Sequence, residues 1–221
     1  MEKSNVQTWN QFMKMTFFGM MMIAVLSIVS QLVDWSYYLV VNSRLYYYYD
    51  LYGSSYYFGT ASRIVNYIDT TFWIYGVIWL FVMSKFVDAG DQEGYSLFKI
   101  GFLIYTSLLV IGYLLALAGG LGMAITLVWF ILQTGCFIVM MIGAIKLKNS
   151  TTFPNAKGMS PIMLSLIFGI VSYFLYIIMY TMAISDLYYN FNLFSNLGSV
   201  FSLVSDIFWL IGWVKLSKHY E

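Results

Sequence analysis

Asp69 and Asp206 are carboxylates set in long apolar runs. An acid there must be hydrogen-bonded, ion-paired or protonated, because hydrocarbon does not solvate its charge. Acids in such positions carry protons or cations across membranes, or tie helices together. Asp206 follows Ser195, Gly198, Ser199, Ser202 and Ser205 and precedes Trp209 and Gly212, a spacing of three and four that puts them on one helix face. Asp69 stands in a comparable row with Ser62, Asn66, Thr70, Trp73 and Gly76. A third row, Thr126, Trp129, Gln133 and Cys136, is polar but carries no acid. The candidate intramembrane site is therefore Asp206, Ser202, Ser205, Trp209, Gln133, Asn66, Asp69 and Trp73. The competing reading of Asp206 is a carboxyl bonded to Ser or Asn that only glues helices.

Catalysis finds little to work with in these residues. Serine chemistry needs a base near the nucleophile, and the one histidine, His219, lies in the tail. Metal sites need clustered His, Cys, Asp or Glu, and the apolar runs never bring two within one helix turn. The single cysteine, Cys136, allows no intrachain disulfide. There is no phosphate-cradling loop and no histidine in the membrane for haem. The expectation is a protein that is not an enzyme, with no cofactor and no metal.

The elements that must position the acids follow from composition. The chain has 221 residues, 61% hydrophobic and 10% charged, with a mean hydropathy of +0.75. A soluble domain carries nearer a quarter charged residues. A net charge of +1 argues for no nucleic-acid partner. Apolar runs of about 20 residues cross the hydrocarbon as helix. Six are present, over about 15–37, 64–86, 97–118, 123–145, 161–184 and 196–216, with Pro161 at the start of the fifth. A closed barrel would need short alternating segments, and stretches such as FLIYTSLLVIGYLLALA do not alternate. The first run is too long for a signal peptide and no small-residue cleavage site follows it. The expected fold is all-α: a single polytopic membrane domain over 1–221 with six transmembrane helices.

Lysines orient the helices. Lys3, Lys14, Lys85, Lys99, Lys146, Lys148, Lys157, Lys215 and Lys218 all fall on one side, which the positive-inside rule makes cytoplasmic, together with both termini. Arg44 and Arg63 fall on the other side, as does a tyrosine-rich loop over about 38–62. Tyr46, Tyr47, Tyr48, Tyr49, Tyr52, Tyr56 and Tyr57 in that loop suit the headgroup layer or, alternatively, a partner surface. Asn149-Ser150-Thr151 matches a glycosylation acceptor on the wrong side and is read as a chance match. Taking the inner lysine of each helix as a ruler at about 1.5 Å per residue, Asp206 lies about 13 Å above Lys215 and Asp69 about 24 Å above Lys85. By that ruler Asp206 is at mid-depth and Asp69 is not its partner.

Ile142-Gly143-Ala144-Ile145-Lys146-Leu147 recurs as Ile211-Gly212-Trp213-Val214-Lys215-Leu216, and Phe72-Trp73-Ile74-Tyr75-Gly76 resembles Phe208-Trp209-Leu210-Ile211-Gly212. One reading is three repeated helical hairpins; the other is that membrane helices end alike. Helices 1, 3 and 5 are largely apolar, and Gly112, Ala116 and Gly120 form a small-residue ridge for packing on the third. Two functions are compatible with all this. The favoured one is a non-catalytic subunit, scaffold or regulator of a membrane complex in the cell membrane, with the bilayer and a membrane-protein partner or second copy as its contacts. The alternative is a transporter or channel for a small solute, ion or proton, with a polar path between helices 2, 4 and 6.

Overall fold

A run of apolar residues in hydrocarbon must satisfy its own backbone, and the helix does so within one segment. The computed structural model describes residues 3–42, 54–117, 122–150, 156–185 and 191–218. They form six helices: α1 (Lys3–Asn42), α2 (Ser54–Met83), α3 (Gln92–Leu117), α4 (Met123–Leu147), α5 (Ala156–Ile184) and α6 (Phe191–Ser217). Every one is long and apolar enough to cross a membrane. The protein is an all-helical, multi-pass membrane protein.

Several helices outrun their expected limits. α1 continues to Asn42 and α2 begins at Ser54, so much of the loop expected over 38–62 is helical backbone, Tyr56 and Tyr57 included. Tyrosine allows this because a helix entering the headgroup layer still bonds its own backbone. Arg44, Tyr46, Tyr47, Tyr48, Tyr49 and Tyr52 lie outside the described residues, as does the 118–121 turn. α5 starts at Ala156, which puts Pro161 inside the helix. There the proline removes one backbone bond near the end, where the loss is small.

Each helix packs on its chain neighbours, and α6 closes back onto α1, so the six form a ring. The α2–α3 seam is the thinnest contact of the ring. Large apolar side chains such as Ile64, Ile78, Ile125, Val128 and Phe174 face outward, as hydrocarbon requires. The lysine-bearing half of the ring is filled by Phe17, Tyr95, Phe98, Phe102 and Trp213, all nearly or fully buried. Phe98 stacks on Trp209, with ring centroids 6.1 Å apart, and Trp213 sits edge-on to both.

Glycines permit close backbone approaches between helices, and two of them match. A Cβ on Gly143 would lie 2.5 Å from the Phe98 backbone nitrogen and 2.7 Å from the Gly94 carbonyl oxygen. A Cβ on Gly212 would lie 3.0 Å from the Gly158 carbonyl oxygen and 3.1 Å from the Ile162 backbone nitrogen. In both hairpins the IG-x-x-KL glycine thus meets a glycine carbonyl and the backbone nitrogen four residues further on. Gly112 of the small-residue ridge faces Trp129 within the molecule, where an added Cβ would lie 3.4 Å from the indole.

The lysine-bearing end is tied down by short polar contacts. Tyr95 donates its hydroxyl to the Leu80 carbonyl at 2.7 Å, joining α3 to the last turn of α2. Gln92 donates to the Val87 carbonyl at 2.7 Å and shapes the turn between those helices. Lys146 pairs with Glu93, and Ser150 of the Asn149-Ser150-Thr151 match donates to Asp91.

Candidate intramembrane site

Asp206 is held by α1. Ser27 donates to its Oδ2 at 2.7 Å and the Gln31 amide donates to the same oxygen at 2.6 Å. Gln31 reaches Ser202 as well, at 3.1 Å. Ser27 and Gln31 are four apart and Ser202 and Asp206 are four apart, so two helix faces meet in antiparallel register. One turn inward the Trp209 indole donates to the Met20 carbonyl at 3.2 Å, which fixes the same pair of helices. One step outward along α1, Ser30 donates to Asn66 of α2 at 2.7 Å.

These contacts border a cavity of about 90 Å³. On the scale where one water needs about 10–15 Å³, it has room for several small groups. Asp69 and Asp206 both line it, with Ser27, Ser202, Trp73 and Trp209. α3 adds Tyr105, α4 adds Phe137 and Met140, and α5 adds Ser165, Ser172 and Tyr173. Many of the wall's hydroxyls are engaged. Tyr105 and Tyr173 share a 2.6 Å bond, Ser205 donates to the Ser165 carbonyl at 2.8 Å, and Ser172 donates to the Gly198 carbonyl at 2.8 Å. Asp69 differs. Its Oδ1 is buried and has no hydrogen-bond partner among the described residues, although the Trp73 indole lies beside the carboxyl. Gln31 Oε1, above Asp206, is orphaned in the same way. No lysine, arginine or histidine is among the described residues of the wall.

The expected depth gap between the two acids is not kept. Ser30 of α1 bonds Asn66 and Ser27 of α1 bonds Asp206, so Asp69, one turn from Asn66 toward the lysine-bearing end, lies within about one helical turn of the level of Asp206. Lys85 misleads as a ruler because it lies in the turn after α2 has ended, whereas Lys215 is still helical.

Of the candidate residues, Asp206, Ser202, Ser205, Trp209, Asp69 and Trp73 meet at the cavity. Asn66 lies just outside it on Ser30, and Gln133 is buried on α4 away from the lining. The outer tyrosine surface falls outside the described side chains. Sequence reasoning passed over Ser27 and Gln31 because it counted α1 as apolar. The signal was there: Ser27, Ser30 and Gln31 share one face of an otherwise apolar run. Ser165, Gly169, Ser172 and Tyr176 form a similar stripe on α5. Among the described residues no cluster of three or more His, Cys, Asp or Glu could hold a metal ion. Compared with known proteins, the chain matches no family model, no curated protein and no solved structure.

Proposed function

We propose that this protein is a small membrane carrier or channel whose substrate or coupling ion binds between α1, α2 and α6. The observation that carries the reading is the pair Asp69 and Asp206 lining one cavity whose described wall has no basic side chain. Two acids in a low-dielectric site need protons or a cation to balance them, and binding and release of that charge is what a coupled carrier does. The path runs between helices 1, 2 and 6 rather than 2, 4 and 6, since α1 supplies the partners of Asp206. The matched glycine contacts at Gly143 and Gly212 support repeated hairpins, a common plan for carriers with a midplane site. The lysine-bearing end is the cytoplasmic one, and the termini lie there.

The test is flux in liposomes. Reconstituted wild type should move solute, cation or proton, and Asp206→Asn should lower that flux by roughly tenfold or more, the worth of one charge-assisted hydrogen bond. Equal flux from the variant, or none from the wild type, counts against transport.

A second reading, a subunit of a membrane complex, draws on a different observation. Ile74, Val77, Leu103, Val110 and Ile111 line an open apolar groove on the thin α2–α3 seam, which a partner helix could fill. Gentle extraction that yields a stoichiometric partner would favour it; a clean monomer would oppose it.

A further inference from the structure

We infer that the cavity binds a small primary ammonium cation, with its N–H groups on the Asp69 and Asp206 carboxyls and its alkyl end against Trp73, Tyr105 and Phe137. The inference rests on the transport reading above and names the ligand class of that site. Charge comes first. Two carboxyls and no described basic side chain in the wall disfavour an anion, and a bound cation can take the place of the protons that otherwise balance the acids.

Chemistry separates an ammonium from a metal ion. A metal ion of the hard class asks for about six oxygens converging on one point. Here two carboxyls and five serines share the wall with the rings of Trp73, Tyr105, Phe137, Tyr173 and Trp209, so ring faces surround the oxygens. An ammonium asks for only three acceptors and gains from ring faces around it. Asp69 Oδ1 is an acceptor with no donor among the described residues, and a buried acceptor left unmet is destabilising. Asp206 Oδ2 is different: two protein donors already hold it, so the carboxyl is aimed before any ligand arrives. The size of the cavity, about 90 Å³, suits a one- or two-carbon amine rather than a bulky one.

Binding can be read on the full chain in detergent or nanodiscs, without any transport. Methylammonium and ethylammonium chloride should raise the unfolding midpoint of the wild type in step with the logarithm of concentration. Butylammonium should do so much less. Asp69→Asn should weaken binding by roughly tenfold or more, since it loses a charge-assisted bond. It should fold normally, because that oxygen has no protein partner among the described residues. Asp206→Asn should weaken binding as well. Ser107→Ala, an exposed residue bonded only to its own helix, should change nothing. Equal stabilisation by sodium or potassium chloride would overturn the ammonium assignment, as would equal binding of methanol or no effect of Asp69→Asn. Labelled methylammonium uptake into liposomes then separates the two claims. Binding without uptake overturns transport and leaves the site; uptake of some other solute without ammonium binding overturns the site assignment alone.

Discussion

The lysine-bearing and middle thirds of the helix ring are built from opposite materials. In the lysine-bearing third Phe98 and Trp213, with Phe17 against the Trp213 ring, pack around a small apolar pocket closed by Leu80, Met83 and Leu147. In the middle third two acids and several serines surround a cavity. The plug holds the fold with shape; the cavity gives up packing to hold polar groups. A membrane protein that needed only to be stable would extend the plug through its whole length. The contrast teaches where to look for function, and which changes should affect stability alone.

The largest expected effect is in the plug. Phe98→Ala removes a ring that stacks on Trp209 and packs on Trp213, and should destabilise by about 3–5 kcal/mol. Unfolding in mild detergent would measure it, and a loss under about 1 kcal/mol would show that the plug is not tightly packed. Gly143→Val forces a side chain against the Phe98 backbone. It should cost about 1–3 kcal/mol through overpacking and lower the yield of monodisperse protein; a neutral result would mean that α3 and α4 can slide apart freely.

At the cavity the balance reverses. Ser27→Ala leaves Gln31 on Asp206, so stability should fall by only about 1 kcal/mol while flux or ligand affinity changes more. If the thermal midpoint drops as far as it does for Phe98→Ala, the serine belongs to the scaffold and the contrast fails. The smallest effect should come from Lys146→Ala at the exposed lysine-bearing rim. Its pair with Glu93 is in water, with side-chain exposures of 41% and 76%, and such pairs contribute about 0–1 kcal/mol before screening by salt. A larger loss in the same unfolding assay would place the hairpin ends among the structural supports.

The spans could be read directly because length and apolarity are local properties of the chain. Asp206 stood out for the same reason: an acid in a 25-residue apolar span, Leu193–Ser217, is conspicuous wherever its neighbours lie. Its partners were not conspicuous. Ser27 and Gln31 become meaningful only when α6 closes on α1, and ring closure depends on packing that one helix cannot announce. Gln133 illustrates the reverse case. Its polar row on α4 looked like lining, but the ring turns Phe137 and Met140 to the cavity instead. The depth of Asp69 failed on a finer point, that a flanking lysine need not sit at the end of the helix it follows.

The bond from Ser27 to Asp206 spans 179 residues. At roughly 5–20 residues per second, Asp206 is synthesised about 10–35 s after Ser27. Throughout that interval the polar face of α1 has no permanent partner, and Ser27 and Gln31 must be sheltered by the insertion machinery or by Ser30 and Asn66 on the first hairpin. Ring closure is then the last step of assembly, and the same contact that shapes the site also certifies that all six helices have arrived. Premature termination before α6 should leave a product with an unmet polar face in hydrocarbon, a mark that membrane quality control can recognise.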